Sequence, residues 1–294
     1  MRRMALAGLA LLAVAVTAAV FVPRRGAKQD ARSILIAAAQ AMEEAKSVHF
    51  AGHGSGPSKD TPSGMKMMSE RFEIWAGSSK GYVRVVSPDG KLSGLTVLDA
   101  DAREWWNYDA KDNAVYVADL TPIADRVGDA VAQVNQMLRS SLATPTPGEI
   151  KTLVGAAGFC DIKESVTSQT REGRKVLVVT VTATISSSPR KVTGRWVCEV
   201  DAETNRLLTM HQYAQAEGSP EELVQVVDLV EYDVPFPAAP TKLGLPEGTK
   251  TVQATATIEK SASLLRLVMT ADGKRIGQMD IQPSKEQLRA QSER

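Results

Sequence analysis

The residues of this chain that could do chemistry are few, and their spacing fits no common metal site. The 294-residue sequence contains three histidines and two cysteines. His49 and His53 are four residues apart, a spacing that would bring two ligands together on a helix. Residues 48–54 are predicted to form a strand instead, on which these side chains lie about 13 Å apart, too far for one metal ion. We therefore expect surface or packing histidines and no metal site.

Acid–base and nucleophilic chemistry have equally little support. Glu43 and Glu44 are adjacent, as are Glu221 and Glu222, so the members of each pair do not face each other and are explained by solvated surface. The sequence contains no Gly-x-Ser-x-Gly, His-Glu-x-x-His, phosphate-loop or dinucleotide motif. We expect no catalytic residue, no cofactor and no enzymatic activity.

The two cysteines, Cys160 and Cys198, fall on or near predicted strands. Two residues are too few for a disulfide scaffold or a cysteine-based zinc cluster. In an oxidising compartment they could form one disulfide, and the alternative is a pair of buried thiols. The sequence leaves both open.

The most informative stretch is aromatic and spans residues 94–120. Three apolar segments are separated by turns rich in Asp and Asn, which predicts an antiparallel meander. Trp106 and Tyr108 are two residues apart, so both side chains leave a strand by the same face. Such a pair is either core or the wall of an apolar pocket.

The elements around the meander are mostly strands. About a dozen short strands at regular spacing predict one large antiparallel sheet or barrel. Asp30 is the predicted N-cap of a first helix. Residues 122–142 are predicted to form an amphipathic helix that begins at Pro122 and has one apolar stripe, formed by Ile123, Val127, Val131, Val134 and Leu138.

The N-terminus predicts a membrane segment. Residues 4–22 are nineteen residues without a charge, which as a helix span about 28 Å, close to the thickness of a bilayer core. We expect an uncleaved anchor, with a cleaved signal peptide as the alternative. Arginines flank both ends, so charge does not decide the orientation. The net charge of +1 gives no reason to expect nucleic acid as a partner.

Several short motifs, taken in their order along the chain, resemble those of a known protein superfamily. An Ala-rich helix precedes Ser-Val-His-Phe-Ala-Gly at residues 47–52, and Trp-Asn-Tyr-Asp follows at 106–109. Val-Pro-Phe at 234–236 and Leu-Pro-Glu-Gly at 245–248 close the pattern. Over residues 30–257 the chain resembles the LolA/LolB-type lipoprotein-carrier superfamily, which includes lipid-sensing periplasmic regulators of envelope-stress sigma factors. The N-terminal anchor and a C-terminal hairpin depart from the soluble carrier.

The resemblance implies a mainly β (α+β) fold, in which a curved antiparallel sheet forms an unclosed β-barrel with covering helices. It also implies a bacterial envelope protein, anchored in the cytoplasmic membrane, whose extracytoplasmic domain binds lipid acyl chains or a lipidated protein. The helix at 122–142 would then be a lid. The candidate lipid-binding residues are Phe72, Ile74, Trp106, Tyr108, Val115, Val117, Ile123, Val127 and Val131.

The alternative function is a membrane-anchored sensor module that acts on an anti-sigma or other membrane-protein partner. In either case we expect an anchor or signal sequence at residues 1–25, a linker at 26–29 and the lipid-binding domain at 30–260. An additional hairpin at 261–281 and a flexible tail at 282–294 complete the expected organisation.

Overall fold

A computed structural model of the chain describes residues 30–123, 132, 159–187, 190–237, 243–260 and 265–281. The predicted anchor, linker and C-terminal tail lie outside these residues. In the parts of the chain so described, no helix is both long enough and apolar enough to cross a membrane.

The first helix begins where its N-cap predicts. The Ser33 N–H donates to Oδ1 of Asp30 at 2.7 Å, which satisfies one of the backbone donors left over at a helix start. Helix α1 (Ala31–Glu44) buries one side at three- and four-residue spacing. The buried residues are Ala31, Ile34, Leu35, Ala38 and Met42.

In the described residues, fourteen strands and a turn of 3-10 helix at Thr121–Ile123 follow this helix. In chain order they are β1 (Ser47–Pro57), β2 (Met65–Gly77), β3 (Lys80–Val86), β4 (Leu92–Asp99), β5 (Glu104–Asp109), β6 (Ala114–Asp119), β7 (Phe159–Arg171), β8 (Arg174–Ser187), β9 (Arg190–Asp201), β10 (Leu207–Ala216), β11 (Glu222–Tyr232), β12 (Lys250–Lys260), β13 (Leu265–Ala271) and β14 (Lys274–Ile281). The prediction of a mainly β fold is confirmed.

The fourteen strands form one sheet in the order β14-β13-β12-β6-β5-β4-β3-β2-β1-β11-β10-β9-β8-β7. Neighbours joined by hairpins run antiparallel, but β12 pairs parallel with β6, with Lys250 opposite Ala114 and Thr255 opposite Asp119. The prediction of a purely antiparallel sheet is therefore wrong at this pair of strands. Two parallel strands need a long connection, which here is residues 120–249, and its last segment crosses from β11 to β12.

The chain divides into two compact units. The first unit is Met1–Ala45, Phe50–Ser69 and Arg139–Tyr232, and the second is Lys46–His49, Glu70–Leu138 and Asp233–Arg294. In the first unit α1 contacts β7 and β8. One face of β8 to β10 is buried, with Val179 paired to Cys198 and Cys198 paired to Met210.

The first unit also decides the pairing of the cysteines. Cys160 lies opposite Ile185, and Ile185 lies opposite Val192 on β9. Cys198 is six residues further along β9, about 20 Å away at the rise of a strand. A disulfide requires Cα atoms within about 7 Å, so the disulfide left open by the sequence is excluded in this fold. Cys198 is a fully buried thiol.

The second unit contains the predicted meander, and its register assigns every side chain to a face. One row of cross-strand neighbours runs Trp75, Tyr82, Val97, Trp106 and Val117. We call the face that carries this row the strap face. The opposite face, here the hairpin face, carries the row Ile74, Val83, Thr96, Asn107 and Tyr116.

The hairpin face is covered by the C-terminal strands. Trp105 is 1% exposed, and a Cβ placed on Gly277 of β14 would lie 3.3 Å from Cζ2 of the indole. Three strands separate β14 from β5 in the sheet order, so this part of the sheet curls tightly around Trp105. Because β13 pairs with β12 along its length, the segment predicted as a hairpin added at 261–281 is part of this core.

Candidate functional site: the strap face of the meander

The crossover from β11 to β12 is tied to the second unit near both of its ends. We call residues 233–249 the strap, of which 233–237 and 243–249 are described. At its start, the Asp233 N–H donates to the Ser47 carbonyl at 2.8 Å, and the Ser47 hydroxyl donates to the Val234 carbonyl at 2.6 Å. At its end, the Thr249 hydroxyl donates to Oδ1 of Asn113 at 3.0 Å.

Apolar side chains of the strap pack on the meander. Leu243 is buried in a cluster with Tyr82, Leu95, Val97 and Tyr108 on the strap face, and Leu92 of β4 belongs to the same cluster. Phe236 and Leu245 are partly buried against it, together with Trp75 and Trp106. The strap therefore lies on the same side of the sheet as the aromatic pair found in the sequence.

The aromatic rings of the strap face form a continuous row. The imidazole of His49 stacks on Trp75, with centroids 3.7 Å apart, and Trp75 lies 4.7 Å from Tyr82. The edge of Phe236 meets Tyr82 at 5.6 Å, a geometry in which aromatic quadrupoles attract. A Cβ on Gly77 would lie 2.8 Å from the Phe236 ring, so the absence of a side chain there makes room for it.

The structure divides the predicted lipid-binding residues. Trp106, Tyr108, Val115 and Val117 share the strap face, because Tyr108 pairs with Val115 and Trp106 with Val117. Phe72 and Ile74 point to the opposite face. Ile123 packs against the hairpin-face cluster.

Two of the predicted residues, Val127 and Val131, lie outside the described part of the chain. So does most of the predicted lid helix at 122–142, of which only Pro122, Ile123 and Ala132 are described. In the described residues, the strap, which the sequence did not identify as a cover, packs against the cluster that contains Trp106 and Tyr108.

The polar groups on the strap face are few. Oη of Tyr108 donates to Oδ1 of Asn113 at 3.2 Å, and Nε1 of Trp106 donates to Oε2 of Glu104 at 2.8 Å. These bonds fix the two aromatic rings that the sequence singled out. Each satisfied polar tip leaves the apolar body of its ring available for packing.

Three further side chains bring charge and hydrogen-bonding capacity. Nη1 of Arg84 lies 3.4 Å from Oε2 of Glu73, and Glu73 and Arg84 are direct cross-strand neighbours. Tyr82, two residues before Arg84, faces the same way. Its burial, and secondarily the negative charge of Glu73, raise the pKa of the Tyr82 phenol well above its usual value, so the phenol is a neutral donor at physiological pH.

Sequence reasoning missed Trp75, Tyr82, Arg84 and the strap residues. The only signal was the alternation of β2 and β3, which predicts strands without saying which face is covered. The motif Val-Pro-Phe at 234–236 predicts only extended chain, and Phe236 is the residue that the strap places against Tyr82.

Within the described ranges, no group of three or more His, Cys, Asp and Glu side chains is placed to hold a metal ion. The first unit has a separate depression of about 210 Å³, whose lining is polar. It is formed by Lys191, Thr193, Gln215, Ala216, Glu217 and Gly218.

No protein-family model matches the chain, and no curated protein matches it. Among solved structures, the chain is similar to an uncharacterized conserved protein from Thermus thermophilus. The two share 10% sequence identity, over 76% of this chain and 98% of that chain, with a TM-score of 0.34. A likeness this distant carries no argument about function, so any functional conclusion depends on the geometry of the strap face.

Proposed function

We propose that this protein is a non-enzymatic, extracytoplasmic binding protein that holds an acyl chain of a lipid or lipidated protein on the strap face. The observation that carries the proposal is the set of large, partly buried aromatic residues on that face: Trp75, Trp106 and Phe236, beside the buried Tyr82 and Tyr108. Flat, rigid rings of this kind offer a wide apolar area and little geometric selectivity.

The position of the strap supports the proposal. It lies on the apolar face and is hydrogen-bonded at Ser47 and at Asn113, on either side of its apolar contacts. Alkyl chains gain affinity at about 0.8 kcal/mol per buried methylene, so a chain that buries several methylenes between strap and sheet would bind usefully without specific contacts. Selectivity for chain type should be loose.

The sequence motifs support a location in the bacterial envelope. The resemblance to lipoprotein carriers, and the uncharged segment at residues 4–22, agree with an anchored protein of the bacterial envelope. The fold that we propose in more detail is the unclosed β-barrel of that superfamily, with helices covering part of the sheet.

The test is binding of a fluorescent fatty acid, cis-parinaric acid, by the full-length protein, with mass spectrometry of any lipid that co-purifies. Trp106→Ala removes one wall of the strap face and should weaken binding about tenfold, the effect of about 1.4 kcal/mol of lost contact energy. Thermal unfolding of the same variant checks that the sheet remains folded.

Trp196→Ala is the matched control. Trp196 is a partly buried Trp of β9 in the first unit, far along the chain from the strap. Its removal should leave probe binding unchanged. Equal binding by wild type and a folded Trp106→Ala variant, or no binding of the probe at all, would contradict the proposal. In the second case, capture of a membrane-protein partner would favour the sensor module instead.

A further inference from the structure

Two polar side chains of β3 lie on the apolar strap face with hydrogen-bonding capacity that no described residue uses. Tyr82 is 5% exposed, and its hydroxyl is buried without a hydrogen-bond partner among the described residues. Nε of Arg84 is buried and, in the same part of the chain, likewise has no partner. Buried donors are normally satisfied, because leaving one unpaired costs its desolvation energy.

The unused group of Arg84 lies on one particular edge of its guanidinium. Glu73 approaches Nη1 at 3.4 Å, longer than the 2.7–2.9 Å usual for a charge-assisted bond. The other long edge, formed by Nε–H and Nη2–H, has the parallel geometry that binds two oxygens of one carboxylate or phosphate. Glu73 does not occupy that edge.

Gly244 of the strap lies over the flat face of the same guanidinium. A Cβ on Gly244 would lie 3.2 Å from Nη2, 3.6 Å from Cζ and 3.9 Å from Nε of Arg84. These distances place the added Cβ over the flat face of the guanidinium near Nη2, so a side chain at position 244 would crowd the guanidinium and shift it by a few tenths of an ångström. The φ angle of Gly244 is +86°, which by itself also favours glycine.

We infer that the Nε–Nη2 edge of Arg84, with the hydroxyl of Tyr82 two residues earlier on the same face of β3, is the binding site for the singly charged oxyanion of an amphiphile, a carboxylate or a phosphate diester. This inference rests on the proposed function, because the acyl chain of the same molecule would lie on the neighbouring aromatic rings.

The charges around the site limit the charge that a ligand can carry. Arg84 supplies one positive charge and Glu73, its neighbour, one negative charge, so a second full negative charge on the ligand would be uncompensated. A fatty-acid carboxylate or a phosphate diester fits this balance better than a phosphate monoester. Tyr82 adds a donor without adding charge, since its phenol stays protonated.

The test compares probes that differ only in the anionic group. Oleic acid and oleyl alcohol have the same chain, and each competes with cis-parinaric acid for the full-length protein. A single charged hydrogen-bonding contact gives about a tenfold difference or more, so oleate should compete at least that much better than the alcohol. Sodium acetate in large excess should displace little probe, because it has the anion without the chain.

Variants locate the effect. Arg84→Gln and Arg84→Lys should both weaken oleate and leave oleyl alcohol unchanged, because a lysine keeps the charge but lacks the two-pronged edge. Gly244→Ala should weaken oleate more than Gly248→Ala. Gly248 has a similar φ of +76° and open space around its Cα, so it controls for backbone strain. Melting temperatures identify any variant that fails to fold.

The outcomes separate this inference from the proposed function. Equal competition by oleate and oleyl alcohol, or full oleate affinity in Arg84→Lys, would overturn the anion site while acyl binding stands. Displacement by acetate as effective as by oleate would show a site for small anions and overturn the amphiphile. Failure of every probe to bind would overturn both proposals.

Discussion

Trp105 of β5 lies directly against Gly277 of β14, although three strands separate β5 from β14 in the sheet. The indole is fully buried, and the amide of Asn107 also reaches β14, donating from Nδ2 to the Ile276 carbonyl at 3.4 Å. The tight curl of the second unit thus depends on a position in β14 that has no side chain.

Gly277→Ala tests this close approach. The new Cβ would lie 3.3 Å from the indole, so Trp105 or β14 must move by a few tenths of an ångström. We expect a loss of about 1–2 kcal/mol in the free energy of unfolding, measured by urea denaturation. Gly94→Ala is the control, because its Cβ would meet Val85 at an ordinary 3.8 Å. A Gly277→Ala variant as stable as Gly94→Ala would show that the two strands are not in close contact.

A second glycine is required by the backbone of the first unit. A Cβ on Gly52 of β1 would lie 1.9 Å from the Val226 carbonyl oxygen and 2.9 Å from Cα of Val227 on β11. Neither atom belongs to a flexible side chain that could move aside. We therefore expect Gly52→Ala to cost at least about 2 kcal/mol of stability.

Gly56→Ala, on the same strand, is the matched control for Gly52→Ala. Its Cβ would meet only the Met68 side chain, at 3.5 Å, which is ordinary contact. Thermal unfolding of both variants gives the comparison. Similar melting temperatures would contradict the close main-chain approach of β1 and β11.

The meander could be predicted from the sequence because its signals are local. Asp and Asn between apolar segments mark the turns, and β5 begins at Glu104 and β6 at Ala114, directly after such turns. The face of the sheet on which each side chain lies could not be predicted in the same way. A one-residue difference in a turn moves a whole strand to the opposite face, which is why Phe72 and Ile74 do not join Trp106.

The long-range elements were the ones missed. Strand β12 alternates Val, Ala and Ile with Thr and Gln, a weak pattern whose partner β6 is more than a hundred residues earlier. The strap has no hydrophobic periodicity, and its role depends on where the side chains of Phe236 and Leu243 pack in the folded chain. That no described residue accepts from the Tyr82 hydroxyl or from Nε of Arg84 depends on their neighbours in space, which the sequence does not show.

The buried carboxylate Asp201 predicts a pH effect on stability. The backbone N–H groups of Thr204 and Glu203 donate to its Oδ1 at 2.8 and 2.9 Å in the β9–β10 turn. These bonds, led by the one from Thr204, outweigh burial and lower the pKa of Asp201 below its usual value. A carboxyl with a lowered folded-state pKa stabilises the fold above its unfolded pKa of about 3.9, and that stabilisation is lost as pH falls through the folded value.

Asp201→Asn keeps a side-chain oxygen but removes the titration. We expect the variant to be less stable than wild type at pH 7, with the difference shrinking as pH falls below about 4. Urea denaturation of both proteins at several pH values measures this difference in the free energy of unfolding. Glu203→Gln, at the exposed neighbouring carboxyl, should track wild type across the range. A wild-type advantage over Asp201→Asn that is constant with pH would contradict the mechanism.

Asn113 ties the end of the strap to the meander and adopts a left-handed backbone, with φ of +44°. Its Oδ1 accepts from Tyr108 and from Thr249, while its own carbonyl accepts from the Lys250 N–H. Asn113→Gly keeps the backbone conformation and the Lys250 bond but removes both side-chain bonds. Two net hydrogen bonds correspond to about 1–3 kcal/mol, and Asn113→Ala should lose about 1 kcal/mol more because of its positive φ.

Hydrogen exchange distinguishes a loosened strap from a general loss of stability. In Asn113→Gly, amides of residues 243–249 should exchange faster than in wild type, while those of β8 and β9 in the first unit should not change. Asn205→Gly is the control, because Asn205 has a similar φ of +56° in the β9–β10 turn and lies outside the second unit. If Asn113→Gly leaves exchange at 243–249 unchanged, the side chain of Asn113 does not hold this part of the strap, and the packing of Leu243 and Phe236 does. In that event an acyl chain could enter only by displacing those side chains, and Leu243→Ala should then raise the rate of probe binding where Asn113→Gly does not.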